Sequence, residues 1–209
     1  KELYKERTCT AEEAIKAIPS GSRVVTGHAV GEPSYILDVL CDHKDDYKDV
    51  EIVHMVSMGA ARYCGEDMAG HFRHNSLFVG GTTRKAVEEG RADYTPCFFY
   101  QVPALFDKEL PVDVALVTVT PPNENGKVSL GVSVDYTLAA VKHAKTVIAQ
   151  VNDQMPFTYG DAVIDVSEID YFVEHSAPLI ELPPAKLTDI EKEIGANCAS
   201  LIQDGDTLQ

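Results

Sequence analysis

Short apolar and β-branched runs, typical of strands buried on both faces, alternate along the chain with segments in which apolar residues recur every three or four positions, as in helices. Gly follows several of these runs, so glycine-bearing loops are expected where the strands end. The predicted strands span residues 22–26, 51–57, 76–79, 95–101, 112–120, 146–151 and 162–166.

Capping signals place helices between these strands. Thr10 and Glu13 form a capping box, Pro33 opens a second helix, and Asp135 caps a later one. Strands that alternate with helices predict an α/β fold with a mostly parallel, doubly wound sheet flanked by helices, which binds ligands outside the carboxyl ends of its strands. The predicted helices cover residues 11–18, 34–40, 82–89 and 136–143.

The end of the chain carries a second capping box, Thr188 with Glu191, followed by an apolar stripe that includes Ile190, Ile194 and Ile202. Such a stripe needs a surface to pack against. We therefore predict one α/β domain over residues 1–185, followed by a helix over residues 186–209 whose apolar stripe packs against a partner surface.

Composition narrows the classes of function. The formal net charge of −15 opposes binding to nucleic acid or to an anionic membrane, because both are recognised through clustered Lys and Arg. No apolar run approaches the ~20 residues that span a bilayer, and the first residues resemble no targeting segment, so we expect a cytoplasmic protein. The cysteines and histidines lack metal-ligand spacing, so no metal site is expected.

Familiar nucleotide-binding and protease signatures are missing from the sequence. The nearest approach to a GxSxG nucleophile motif is residues 127–131, KVSLG, in which Lys127 replaces the first glycine. A serine hydrolase is therefore not expected.

The loop after the first predicted strand carries the first candidate chemistry. Gly27 and Gly31 would let a backbone approach a ligand, and N–H groups at the helix start beyond Pro33 could hold an anion. His28 could donate a hydrogen bond or act as a base. Glu32, beside a helix N-terminus, is expected to stay ionised and to cap the helix.

A second loop, residues 80–85 with the sequence GGTTRK, combines close backbone approach with two hydroxyl groups and two cations. Thr82, Thr83 and Arg84 would suit a carboxylate or a phosphate. The same residues would equally suit ordinary capping of the predicted helix, and the sequence leaves both readings open.

These residues leave two functions open. One is a complete α/β hydrolase or isomerase that uses Glu32 and His28 as its acid/base pair. The other is a non-catalytic module that binds a carboxylate, or CoA if the family resemblance given next is followed, without turning it over.

Segments spread along nearly the whole chain resemble the acetyl-CoA hydrolase/transferase family, most closely its 4-hydroxybutyrate CoA-transferases and next its butyryl-CoA:acetate transferases. The resemblance implies a CoA-transferase-like N-terminal domain, with the nucleophilic glutamate beyond Gln209 and no catalytic residue in this chain. The resemblance further implies that the helix of residues 186–209 leads into a C-terminal domain absent from this chain, or that a partner chain supplies that domain. It also implies a homo-oligomer, a dimer or larger. The segments are residues 27–33, 80–84, 90–96, 129–137, 151–156 and 198–209.

The resemblance also implies that acyl-CoA and a small carboxylate are the substrates, with coenzyme A as part of the substrate and no permanently bound cofactor. At Gln101 the sequence departs from relatives that carry an acidic residue there, which bears on the choice of acyl group. The predicted substrate-binding residues are Gly27, His28, Gly31, Glu32, Pro33, Ser57, Gly59, Thr82, Thr83, Arg84 and Gln101.

Overall fold

A seven-stranded sheet, in which every strand pair is parallel, forms the centre of the protein in the computed structural model, which describes residues 2–209. The strands of this sheet and of a separate two-stranded sheet are β1 (Arg23–Thr26), β2 (Val50–His54), β3 (Phe72–Ser76), β4 (Asp93–Tyr94), β5 (Val114–Val119), β6 (Lys127–Ser129), β7 (Thr146–Val151), β8 (Val163–Asp165) and β9 (Tyr171–Glu174). The order across the main sheet is β4-β3-β2-β1-β5-β7-β9.

Helices cover both faces of the sheet, which confirms the doubly wound architecture. Val24 of β1 packs in the same core as Ile36, whereas its neighbour Val25 packs in a second core with Tyr136. Successive strand residues point to opposite faces, so these two cores lie on the two sides of the sheet. The α-helices are α1 (Glu2–Arg7), α2 (Ala11–Ala14), α3 (Ser34–Asp42), α4 (Arg84–Glu88), α5 (Val102–Leu105), α6 (Asp135–His143) and α7 (Asp189–Ala199).

The central strand shows why the apolar runs predicted buried strands. All six residues of β5 are buried, and β5 is paired with β1 on one side and with β7 on the other. A strand covered on both faces has no solvent-facing positions, so its sequence does not alternate between apolar and polar residues.

The predicted strand over residues 76–79 is wrong, because the strand lies earlier and ends at Ser76. Phe72 and His74 alternate with solvent-facing Arg73 along β3, and Ser76 Oγ donates a hydrogen bond to Phe78 O (2.7 Å) just after the strand. A buried histidine made this inward-facing alternation look like a polar stretch.

The predicted strand over residues 95–101 is also wrong. Only Asp93 and Tyr94 pair with β3, the Thr95 N–H adds a last hydrogen bond to Ser76 O (2.9 Å), and Pro96, which lacks an N–H group, then ends the pairing. The aromatic residues beyond it form a loop and a 3₁₀ turn, with Phe98 70% and Tyr100 78% exposed.

The predicted strand over residues 162–166 exists as β8 but does not extend the parallel sheet. It pairs antiparallel with β6 in the separate two-stranded sheet, in the register Val128↔Ile164. The parallel sheet is completed instead by β9, a strand that the sequence analysis did not predict.

The chain divides into two compact units, the first ending at Leu179 and the second spanning Ile180–Gln209. The second unit contains α7, and its predicted capping box is confirmed. Thr188 Oγ1 accepts a hydrogen bond from the N–H of Glu191 (3.3 Å), while the Thr188 N–H donates to Glu191 Oε2 (2.6 Å). Within residues 2–209, no helix combines the length and the apolar character that a membrane span requires.

Candidate functional site

The strand order reverses direction between β1 and β5, and this point marks the candidate site. The chain runs outward from β1 through β2, β3 and β4, then returns to place β5 on the other side of β1. Loops that follow the two adjoining strands therefore diverge, and the crevice between them is where doubly wound sheets bind ligands. The loop of residues 27–33 leaves the carboxyl end of β1 at this crevice.

Glycines shape that loop through contacts with the protein's own chain. A Cβ atom on Gly27 would lie 2.2 Å from Gly31 O, and one on Gly31 would lie 2.2 Å from Ser133 Cβ. The sequence analysis assigned these glycines to ligand approach, but in the structure they permit a tight turn and close packing on the segment before α6. Ser133 Oγ also accepts the backbone N–H of His28 (2.9 Å).

Ala29 holds the loop against the end of β2. It has a positive φ of 51°, a left-handed conformation that costs a non-glycine residue about 1 kcal/mol. The strained residue forms a bridge with Ser57, and its N–H donates to Val56 O (2.9 Å). Strain of this kind persists where surrounding contacts fix the backbone, as they often do at functional sites.

Glu32 turns its carboxyl group toward the segment after β2 instead of capping α3. The residue is 7% exposed, and the helix has no side-chain cap at Pro33, its buried N-cap residue. A Cβ atom on Gly59 would lie 2.3 Å from Glu32 Oε1, so only glycine leaves room for the carboxyl group there. Oε1 accepts a long hydrogen bond from Ser34 Oγ (3.4 Å), and Oε2 has no partner among the described residues.

The expectation that Glu32 caps the helix is wrong, because its carboxyl group lies against Gly59 and α3 has no side-chain cap. Burial raises the pKa of the Glu32 carboxyl above its ordinary value and outweighs the opposing effect of polar groups on Ser57, Gly59, Ser34 and Met58. The hydroxyl of Ser57 is buried and also lacks a partner among the described residues. Glu32 Oε2 and Ser57 Oγ thus lie buried beyond the ends of β1 and β2 without a well-formed hydrogen bond.

Behind Glu32 lies a buried polar cluster that the sequence analysis missed. His54 Nε2 is 2.6 Å from Tyr63 Oη, and the rings of His54 and His74 stack with centroids 4.2 Å apart. Burial lowers the pKa of His54 well below its ordinary value and that of His74 to about 4, so both rings are neutral at pH 7. Burial also raises the pKa of Tyr63 well above its usual range.

A signal for this cluster was present in the sequence. His54 and His74 follow the same inward alternation as Ile52 and Phe72 on two neighbouring strands. His54 and His74 were weighed only as metal ligands, for which their spacing is unsuitable. Within residues 2–209 no group of three or more ligating side chains is placed to hold a metal.

The second loop reaches the site through Ser57. Thr82 Oγ1 donates a hydrogen bond to Ser57 O (3.2 Å), which ties the loop after β3 to the loop after β2. Thr83 is 1% exposed, and its hydroxyl neither caps α4 nor finds another partner in the part of the chain that the structure describes. Cβ atoms on Gly80 and Gly81 would meet open space, and Arg84 is exposed.

His28 is paired with Asp135 and not with Glu32, which corrects the acid/base pair proposed from the sequence. His28 Nδ1 lies 2.7 Å from Asp135 Oδ2, and Asp135 Oδ1 accepts hydrogen bonds from the backbone N–H and the hydroxyl of Thr137 (both 3.2 Å). Asp135 was predicted as a helix cap, yet it is the first residue of α6 after Val134 at the N-cap.

Aromatic side chains surround this pair. The His28 ring is edge-on to Phe99 (centroids 5.5 Å apart) and tilted against Tyr136 (5.4 Å). Gln101 follows in the same 3₁₀ turn as Phe99, but its Oε1 accepts the backbone N–H of Phe98 (2.9 Å) and serves the local turn.

The structure therefore brings together most of the predicted site residues at one edge of the sheet. Contacts described above join Glu32 to Gly59, Ala29 to Ser57, and Thr82 to Ser57. No described contact draws Arg84 or Gln101 into this group. Their role in binding stays a prediction, as does that of the other residues.

Comparison with known proteins gives one consistent family. Residues 1–182 match the family model for the acetyl-CoA hydrolase/transferase N-terminal domain. The chain is 60% identical over 209 residues to the 4-hydroxybutyrate coenzyme A transferase of Clostridium kluyveri, covering all of this chain and 49% of that protein. The chain spans about half the length of the curated relatives it matches.

Solved structures agree in both fold and coverage. RipA from Yersinia pestis superposes with a TM-score of 0.93 at 30% identity, covering 98% of this chain and 50% of that one. A 4-hydroxybutyrate CoA-transferase from Porphyromonas gingivalis superposes with a TM-score of 0.84 at 38% identity, covering 100% of this chain and 49% of that one.

Proposed function

The chain belongs to the acetyl-CoA hydrolase/transferase family, and from that premise we propose that it forms the N-terminal half of an acyl-CoA:carboxylate CoA-transferase acting on 4-hydroxybutyrate or butyrate with acetate. The observation that carries the proposal is the 60% identity, over the whole chain, to a 4-hydroxybutyrate coenzyme A transferase twice as long. The similarity to the Porphyromonas gingivalis structure, which is also named as a 4-hydroxybutyrate CoA-transferase, supports 4-hydroxybutyrate as the acid.

The proposed reaction conserves the thioester bond energy through covalent intermediates. A glutamate carboxylate in the other half attacks the acyl-CoA carbonyl, CoA thiolate leaves, and an acyl-glutamyl anhydride forms. The thiolate then attacks the glutamyl carbonyl and releases the first acid as its carboxylate, leaving a glutamyl-CoA thioester. The second carboxylate takes CoA by the reverse steps, so no net proton is consumed.

In this proposal the present half supplies a pocket that admits carboxylates and excludes water, because water would hydrolyse each intermediate. The environment of Glu32 supports this role, because burial raises the pKa of its carboxyl group and so favours the neutral acid, which repels an incoming anion less than a carboxylate does. The exposed cation of Arg84 is a suitable partner for substrate oxygen atoms.

The two alternative functions are less well supported. A complete hydrolase or isomerase would need Glu32 and His28 to act together, and His28 is hydrogen-bonded to Asp135 instead. A binding module without chemistry fits the fold, but the close relative that covers the whole chain is named as a transferase.

The test measures CoA transfer from 4-hydroxybutyryl-CoA or butyryl-CoA to acetate by the 209-residue chain and by the polypeptide extended through the second half of its relatives' length. Transfer by the longer polypeptide alone would support the proposal. Transfer by the short chain would place the nucleophile within it and contradict the division of labour, whereas no transfer by either would contradict the assigned reaction.

A further inference from the structure

An apolar cleft lies beside the His28–Asp135 pair at the carboxyl edge of the sheet. It has a volume of about 460 Å³, and its lining includes the aromatic rings of Phe99, Tyr100 and Tyr136. Asp135 also lines it, and His28 adjoins the cleft through its contacts with Asp135, Phe99 and Tyr136. Small-molecule sites commonly have this composition, in which apolar walls supply affinity and a few polar groups supply specificity.

The polar pair is held in one orientation. Two hydrogen bonds from Thr137 fix Asp135 Oδ1, and Oδ2 is left to accept the Nδ1–H of His28. Partial burial acts to raise the pKa of Asp135, but the hydrogen bond and charge of His28 outweigh it and the pKa is lowered, so the carboxylate is ionised. The hydrogen bond from the His28 backbone to Ser133 fixes the other end of the residue.

This orientation leaves one free polar atom on the ring. With Nδ1 paired to the Asp135 carboxylate, Nε2 is the remaining polar atom of the ring that can form a hydrogen bond with a ligand. Nε2 has no hydrogen-bond partner among residues 2–209, and the His28 side chain is 17% exposed. The ring is clamped on its sides by Phe99 and Tyr136, so it cannot turn far to find another partner.

We propose that His28, oriented by Asp135, forms a hydrogen bond through Nε2 with a hydroxyl group on the acyl chain, and so selects hydroxyacyl substrates over unsubstituted acyl groups of the same length. The methylene groups pack on the aromatic walls, and the hydroxyl satisfies Nε2. A substrate without the hydroxyl leaves this atom desolvated and unpaired, which is the situation in which binding sites discriminate most strongly. This inference rests on the proposed CoA-transferase function.

Asp135 acts here as a positioning residue, because it contacts His28 and need not contact the substrate. Replacing Asp135 with Asn would remove the charge that holds the Nδ1 side of the His28 ring toward residue 135. The selectivity should then fall, while the pocket walls stay in place.

The experiment uses the full-length polypeptide and compares kcat/KM for 4-hydroxybutyryl-CoA and butyryl-CoA, with acetate as acceptor. We expect the ratio of the two values to favour the hydroxyacyl substrate in the unchanged protein, to fall about tenfold in His28→Met, and to fall less in His28→Asn, which keeps a polar group. His143→Met is the matched control, because His143 forms another His–Asp pair with Asp107 (2.5 Å) at the far end of α6.

Each outcome decides between two readings. A ratio that stays constant in His28→Met while both kcat/KM values fall would show that His28 serves the fold or the reacting carboxyl group, and would overturn the inference. An unchanged protein that prefers butyryl-CoA would overturn it as well. If the unchanged protein transfers CoA from neither thioester, the proposed function itself fails. If His28→Met does not fold, as judged by thermal unfolding, His28→Asn and Asp135→Asn provide the same comparison.

Discussion

Replacing Gly59 with Ala tests whether the carboxyl group of Glu32 is packed as tightly as the structure indicates. The new Cβ atom would lie 2.3 Å from Glu32 Oε1 and 3.0 Å from Ser34 Oγ, so the carboxyl group or the backbone must move. Overpacking of a buried site costs about 1–3 kcal/mol, and we expect Gly59→Ala to lower the free energy of unfolding by that amount.

The cause can be isolated with a double-mutant cycle. Glu32→Ala removes the carboxyl group that the new methyl group meets most closely and leaves only Ser34 Oγ at 3.0 Å, so Gly59→Ala should cost much less in that background, giving a coupling energy of about 1 kcal/mol or more. The entropic effect of replacing glycine is the same in both backgrounds and cancels. Gly80→Ala is the control, since a Cβ atom there meets no heavy atom within 4 Å, and we expect a change within about 0.5 kcal/mol.

Urea unfolding of the 209-residue chain, followed by circular dichroism, supplies these values, provided that the dependence of the unfolding free energy on urea stays constant among variants. An equal cost of Gly59→Ala with and without Glu32 would refute the reasoning. It would show that the strain lies in the backbone and not against the carboxyl group.

Three further predictions concern the buried titratable groups. Because the pKa of Glu32 is raised on folding, its contribution to stability is present at low pH and is lost as the pH rises above 4.5. The unfolding free energy of Glu32→Gln should therefore increase relative to that of the unchanged chain as the pH is raised. Parallel pH profiles of the two chains in urea unfolding would contradict this prediction. The pKa of His74 falls from 6.5 to about 4 on folding, so stability should be lost as the pH falls through that window, by about 1.4 kcal/mol per pH unit, and His74→Asn should flatten the slope measured at pH 4.5, 5.5 and 6.5. Tyr63→Phe leaves His54 Nε2 without its partner and should lower the free energy of unfolding by about 1–3 kcal/mol; a cost near zero by thermal or urea unfolding would mean that the hydrogen bond contributes little.

The general architecture was predictable because it depends on local patterns. The run of buried residues that became β5 and the capping boxes at Thr10 and Thr188 are each contained in a few consecutive residues. The wrong strand over residues 95–101 shows the limit of such patterns, since an exposed aromatic loop and a buried strand have the same apolar composition.

The site was predictable only as a set of loops. Its most informative contact joins His28 to Asp135 across 107 residues of chain, and no short motif signals a pairing at that distance. The burial of Glu32 likewise depends on Gly59, which reaches it only because β1 and β2 are neighbours in the sheet. Sequence reasoning located the loops, while the partner of each side chain was set by strand order.

The fit of Gly31 against Ser133 bears on how the substrate range of this family can be altered by directed evolution. Since a side chain at Gly27 or Gly31 would collide with the protein itself, a randomised library over the loop should return glycine at both positions whatever substrate is selected. Variation would be confined to the residues between them. The loop thus consists of two glycine positions that tolerate no substitution and a short segment between them, beginning at His28, in which substitutions can be selected.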